Sequence, residues 1–196
     1  RDDLVTGVQT CALPIYCLMH IAGQKPLDAR LSWRRNMICG IDPGLTGGIA
    51  FLHDDVVLAI RTPVIKVQKK NYLNVGEIVS LLMKHDPDHI YIEKQQAMPR
   101  QGVASTFRTG FGYGVYLGLI IALGIKHTEV TARQWKKDLC VPADKNMARD
   151  IATKLYPYAS SQWKLKCEDG VAESTLIAHW GAKFQTDQSV LQKGLQ

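Results

Sequence analysis

The sequence contains no Cys-x-x-Cys pair and no His-rich tract that could partner one. Its five cysteines therefore indicate neither a structural zinc site nor a disulfide framework, and a reducing, cytoplasmic setting is the default expectation. Internal repeats and low-complexity tracts are missing too, which excludes solenoids and biased linkers. No charged start leads into an apolar run and a small-residue cleavage site, so no secretory signal is read. Thr109 to Ile125 is uncharged over 17 residues, at the short edge of the membrane-spanning range, but is interrupted by Gly110, Gly112, Gly114, Gly118 and Gly124. A buried helix with a close-packing face is expected there, and no membrane association. What is present is a globular balance. The chain has 196 residues, 46% apolar and 21% charged, enough for one domain with a full core and too apolar for global disorder. Lysine and arginine outnumber aspartate and glutamate by 24 to 18, a mild lean toward polyanionic partners.

The first 36 residues differ in character from the rest. Val5 to Ile15 runs Val-Thr-Gly-Val-Gln-Thr-Cys-Ala-Leu-Pro-Ile, with neither a helical nor an alternating period. The same string is the in-frame translation of a common sequencing-library adapter. Residues 1–36 are therefore expected to be a foreign or disordered leader that carries no chemistry. The natural start is expected at Met37, with Met19 the alternative. The folded domain would then span 37–184, and 185–196 would form a C-terminal tail.

Charge is unevenly placed along that domain. Between Lys94 and Lys166 twelve basic residues face only Glu129, Asp138, Asp144 and Asp150, whereas residues 37–93 and 167–196 are each slightly acidic. A basic middle between two acidic arms suits separate phosphate-gripping and metal-gripping surfaces, and equally a solvated charge pattern without function. The hydrophobic pattern alternates between strand and helix. Ile38 to Leu52 reads as two strand pieces around the turn residues Pro43, Gly44, Gly47 and Gly48. Val56 to Arg61 is a short strand, and Val75 to Lys84 carries the apolar stripe of an amphipathic helix. His89 to Glu93 is a buried strand, Ser105 to Leu123 a helix, and Thr128 to Val130 a strand. Lys145 to Leu155 is a helix capped by Asp144 and ended by Pro157, and Cys167 to Phe184 is the last helix. This order predicts an α/β fold with a mixed sheet.

Four acidic residues, at three places in the chain, sit oddly for a plain fold. Asp42 ends the apolar run Ile38-Cys39-Gly40-Ile41, Glu93 closes the strand from His89, and Asp169 and Glu173 lie one turn apart on the final helix. Strand-end carboxylates in an apolar setting are costly unless paired or metal-bound. Singly, each has a plain explanation: Asp42 as a turn-former before Pro43, Asp169 as a helix cap. Jointly, four converging carboxylates favour a hard dication such as Mg²⁺ or Mn²⁺.

These residues carry a family resemblance. Gly40-Ile41-Asp42-Pro43-Gly44-Leu45-Thr46-Gly47-Gly48 resembles the opening strand of the RuvC-type Holliday-junction resolvases. Tyr91-Ile92-Glu93 resembles their second acidic strand, and Glu129-Val130-Thr131-Ala132-Arg133-Gln134-Trp135-Lys136 their strand-to-helix junction. Asp169-Gly170-Val171-Ala172-Glu173-Ser174-Thr175-Leu176-Ile177-Ala178 is similar to their closing acidic helix. The likeness spans about residues 38–182 in the family's order. It implies an RNase H-like fold with a five-stranded mixed sheet flanked by helices, a homodimer, and a metal-dependent endonuclease that nicks branched DNA such as four-way junctions.

On this resemblance Asp42, Glu93, Asp169 and Glu173 form the catalytic metal site. Lys136 and Lys145 fall where the family places lysines on the DNA backbone, and Lys94, Arg100, Arg133, Lys137 and Arg149 are further phosphate-holding candidates. Two positions depart from the pattern. The family commonly has two aspartates three residues apart in the last helix, whereas Asp169 and Glu173 are four apart. The bacterial enzymes carry an aromatic three residues after the strand glutamate, where this chain has Gln96. The surrounding Lys94-Gln95-Gln96 and Arg100-Gln101-Gly102 look more like phage and viral relatives. Two cations, bridged by a shared carboxylate (Asp42) and roughly 3.5–4 Å apart, would activate water and stabilise the leaving oxygen. No side-chain general base is then needed, so His127 and His179 are expected to be structural. An actin-like or sugar-kinase ATPase shares an Asp-x-Gly turn, but calls for a second phosphate-binding glycine turn that is missing here. A catalytically silent nucleic-acid-binding relative is the other alternative.

Gly110, Gly114 and Gly118 line one side of a helix. Packing on the protein's own sheet is expected slightly ahead of a dimer contact. For Phe111, Tyr113 and Tyr116 three fates are open: core, subunit contact, or stacking on unpaired bases. Trp135 is expected to be a partly buried anchor for its basic helix.

Overall fold

Alternation along the first strand decides which layer each side chain enters. The computed structural model describes residues 37–142 and 145–193, with side chains described for 37–142 and 147–184. The expectations for residues 1–36 and for Asp144 as a cap lie outside the described residues. Strands β1 (Ile38–Asp42), β2 (Gly48–His53) and β3 (Val56–Arg61) form an antiparallel meander. The small hairpin β4 (Val64–Val67) and β5 (Lys70–Leu73) follows, then α1 (Val75–His85) and β6 (His89–Glu93). Helix α2 (Val103–Ala122) leads to β7 (His127–Val130), α3 (Ala132–Asp138) and α4 (Lys145–Leu155). Two 3₁₀ turns, Pro157–Trp163 and Lys166–Glu168, precede α5 (Asp169–Lys193). The main sheet has the order β3-β2-β1-β6-β7, with β1, β6 and β7 parallel. The α/β class with a five-stranded mixed sheet is as expected.

The period of two splits the apolar residues cleanly. Cys39, Ile41, Ile49, Phe51, Ile90 and Ile92 face a core closed by Ile78 and Leu82 of α1 and Tyr116 and Ile120 of α2. Ile38, Ala50, Leu52, Val57, Ala59 and Tyr91 face the other way, onto a core closed by α3, α4 and α5 with Trp135, Trp163 and Leu176. Asp42 and Glu93 share the parity of Gly40 and Tyr91, so both stand on the α5 side. A Cβ on Gly40 would lie 2.2 Å from the Ser174 carbonyl oxygen and 2.4 Å from the Ala178 nitrogen. Only a residue without a side chain lets α5 lie this close to the sheet. The open edge of β3 is covered by Gln162, whose Oε1 accepts from the Ala59 N–H and whose Nε2 donates to the Val57 carbonyl. That amide mimics a neighbouring strand and blocks edge-to-edge pairing.

Several expectations are corrected. The final helix begins at Asp169, because Glu168 accepts from the Leu165 N–H at 2.7 Å and tightens the preceding residues into a 3₁₀ turn. It continues to Lys193 rather than stopping at Phe184. The β4–β5 hairpin was invisible in the pattern because nearly all its residues are exposed, so neither face alternates. Helix α2 buries only Tyr116 and Ile120 completely, and Gly110, Gly114 and Gly118 face open space. The glycines therefore do not pack on the protein's own sheet. No described helix is long and apolar enough to cross a membrane.

Candidate active site

The register of β1 and β6 sets the first half of the site. Ile41 pairs with Ile92, so Asp42 and Glu93 leave the sheet side by side at the carboxyl ends of adjacent parallel strands. The second half comes from α5, whose first turn presses on the β1–β2 turn. A Cβ on Gly170 would lie 2.5 Å from the Thr46 oxygen and 2.9 Å from Asp42 Oδ2. Asp169 and Glu173 therefore approach the strand-end carboxylates from a helix start, where the macrodipole favours negative charge.

The electrostatics record the crowding. Burial, reinforced by Glu93, Glu173 and Asp169, pushes the Asp42 carboxyl up to about 7, although the Gly44 N–H donates to its Oδ1 at 3.3 Å. Asp42 thus closes an Asx turn and faces three other acids at once. Burial also raises Glu93, opposed by the indole of Trp135. Trp135 is wholly buried, not partly, and its Nε1–H donates to Glu93 Oε2 at 2.9 Å. Gln95 Nε2 donates to the other oxygen, Oε1, at 3.2 Å. Glu173 is held by Lys136, whose Nζ lies 2.7 Å from its Oε1 and 5.0 Å from the Trp135 ring centroid.

Asp42, raised first by burial and then by Glu93, Glu173 and Asp169, stands with oxygen donors of the hard type at one end of the sheet. The set fits Mg²⁺ or Mn²⁺ in donor chemistry. It is not pre-closed, since no three His, Cys, Asp or Glu side chains among the described residues are gathered as a cation-holding group. Glu93 and Glu173 are turned onto Trp135, Gln95 and Lys136 instead.

The basic candidates divide. Lys136 stands inside the acidic cluster, and Lys94 directly follows Glu93, its Nζ 3.9 Å from Glu129. Arg133 and Lys137 are exposed on α3, and Arg100 is exposed in the loop before α2 with φ 65°. Arg149 is directed elsewhere, its Nη1 donating to the Lys164 carbonyl. Lys145 opens α4, and its side chain lies outside the described residues. His179 accepts from or donates to the Tyr156 hydroxyl at 2.7 Å, and His127 stands on β7. Sequence reasoning missed the carboxylate-orienting role of Trp135 and Gln95 and the lysines of the β4–β5 hairpin. An indole directly before two lysines gave no sign that it reaches back to a strand residue 42 positions away.

Trp135→Phe removes the indole donor from a carboxyl that burial already raises. The acid limb of any Glu93-dependent activity should move to higher pH, and the variant should lose about 1–3 kcal/mol of stability. A pH–rate profile that keeps its acid limb would show that the indole only fills space.

Comparison with solved structures places the fold. The chain aligns with T. thermophilus RuvC in complex with a Holliday junction substrate at 16% identity and a TM-score of 0.52, covering 76% of this chain and 95% of that one. It aligns with the yeast mitochondrial Holliday junction resolvase Ydc2 at 16% identity and a TM-score of 0.50, covering 82% and 87%. No protein-family model and no curated protein sequence matches the chain. At these identities the likeness defines the fold, which is that of the RuvC-type resolvases.

Proposed function

We propose that this chain is a metal-dependent endonuclease of the RNase H-like, RuvC-type group that nicks branched DNA, foremost four-way junctions, and acts as a homodimer. The observation that carries the reading is the Asp42 carboxyl, raised to about 7 by burial and by three further acids at one end of the sheet. A turn-former or a helix cap needs no such company. Asp42, Glu93, Asp169 and Glu173 would hold Mg²⁺ or Mn²⁺, which supplies an activated water and charge stabilisation for phosphodiester hydrolysis. Trp135 and Gln95 orient the two oxygens of Glu93. Lys136 keeps a cation at Glu173, ready for a phosphate, and Lys94, Arg100, Arg133, Lys137 and Lys145 are assigned to flanking phosphates. The dimer is supported by the exposed stripe of Gly114, Gly118 and Ile121 on α2, which would let two helices approach closely.

The test is cleavage of synthetic four-way junctions, flaps and linear duplex with Mg²⁺ or Mn²⁺. Symmetric nicks in the junction, lost with chelator, are the expected result. Metal-independent binding without cleavage would favour a silent nucleic-acid-binding relative. Lys136→Ala should weaken junction binding and lower the slope of log affinity against log salt by about one unit. An unchanged slope would put the DNA path elsewhere.

A further inference from the structure

Beside the acidic cluster, and sharing a wall with it, lies a cavity of about 460 Å³. Its floor is the β1–β2 turn at Gly44 to Thr46, directly after Asp42, and Gln95, the amide bound to Glu93, lies on its rim. One side is Tyr72 of the β4–β5 hairpin, and the other is Phe107 and Phe111 of α2. Phe107 and Phe111 stack on each other, centroids 6.3 Å apart at 20°, yet remain 72% and 61% exposed. Three partly exposed aromatic rings around a hollow leave apolar surface in water that the Phe107–Phe111 stack covers only in part.

We propose that this cavity receives one unpaired nucleobase of the DNA strand held at the acidic site. The proposal rests on the nuclease reading and names the part of the substrate this wall recognises. Flat faces suit a base, because every base has a π-face and stacking tolerates any sequence. The charge around the cavity suits the strand that carries the base. Arg108 lines it, and the hairpin adds Lys66, Lys69 and Lys70 with no acidic residue between Val64 and Leu73. Asn71 and Thr109 on the lining supply donors and acceptors at the base edge. A second copy of the chain fits this end of α2 less well, since Arg108 lines the cavity beside the rings, whereas the glycine stripe farther along the helix is uncharged.

The test uses the full chain and junctions carrying one unpaired 2-aminopurine at the branch, with EDTA present to prevent cleavage. The unaltered protein should quench its fluorescence. The double variant Phe107→Ala/Phe111→Ala should lose most of the quench and bind this junction about tenfold more weakly, with affinity for linear duplex unchanged. Phe107→Tyr should retain the quench, because it keeps the ring. The thermal melt of the double variant should match the unaltered protein, since both rings are exposed. Equal quenching in the double-alanine variant overturns the proposal. So does a change in its sedimentation to a smaller species, which would assign the rings to a subunit contact. The nuclease reading fails separately: quenching without Mg²⁺- or Mn²⁺-dependent cleavage by the unaltered chain removes that reading and leaves the base site standing.

Discussion

Asp42→Asn is expected to lower nicking of a four-way junction at least about a hundredfold while making the metal-free protein more stable. The two effects share one cause. Burial and three neighbouring acids raise the Asp42 carboxyl to about 7, well above the ordinary aspartate range. Folding therefore draws a proton onto this group between about pH 4 and pH 7, and the unfolded chain holds fewer protons than the folded one in that window. Stability contributed by the protonated form is present at low pH and is lost as pH rises toward 7. Above 7 the folded state carries the full cost of the buried charge. Asparagine carries no charge and can still accept from the Gly44 N–H. The variant should thus gain about 1–3 kcal/mol over the unaltered chain at pH 8, and almost nothing at pH 4. It should also lose most of the stabilisation that added Mg²⁺ confers, because a ligand that binds only the folded state raises its melting temperature by mass action. Junction binding should survive, since the cations on α3 and in the loop before α2 are untouched. Melting curves at the two pH values, with and without Mg²⁺, check all of this together with a nicking assay. A variant that melts lower yet still cuts would mean that Asp42 is a turn residue and the active site lies elsewhere.

Gly40→Ala is expected to be among the most damaging single-carbon additions in the protein. The new Cβ would meet the Ser174 carbonyl oxygen at 2.2 Å and the Ala178 nitrogen at 2.4 Å, both backbone atoms in the middle of α5. Neither can swing aside as a flexible side chain would. The helix must lift from the sheet, and a cost of about 3 kcal/mol or more follows, or about 6–12 °C in melting temperature. Lifting α5 also carries Asp169 and Glu173 away from Asp42 and Glu93. The apparent affinity for Mg²⁺ should therefore fall along with stability, even though no ligand has been altered. A melting temperature within 2 °C of the unaltered chain would show that β1 and α5 do not approach this closely.

The sequence by itself determined the local elements and the identity of the unusual residues. Short apolar runs bounded by turn residues marked β1, β2, β3 and β6, an apolar stripe near period 3.6 marked α1, and Pro157 marked the end of α4. It also marked Asp42 and Glu93 as anomalies, since a carboxylate ending an apolar strand is visible in one dimension. Tertiary structure decided what those anomalies face. That Asp42 and Glu93 stand side by side depends on the parallel register of β1 and β6, which pairs Ile41 with Ile92 across some fifty positions of chain. That Asp169 and Glu173 join them depends on glycines 40 and 170, whose missing side chains let α5 settle on the sheet. The two calculations a sequence cannot perform also explain its failures. The glycine stripe of α2 has the same spacing whether it meets a sheet or open solvent, and only the placement of α2 showed solvent. Phe111, Tyr113 and Tyr116 likewise share helical spacing, yet Tyr116 is buried, Tyr113 donates to Glu129, and Phe111 borders the cavity. Trp135 and the β4–β5 lysines complete the pattern, because a hydrogen bond to a distant strand and a hairpin without a buried face leave no period to read. Local periodicity reports which side of an element is apolar; what lies against that side is a property of the whole chain.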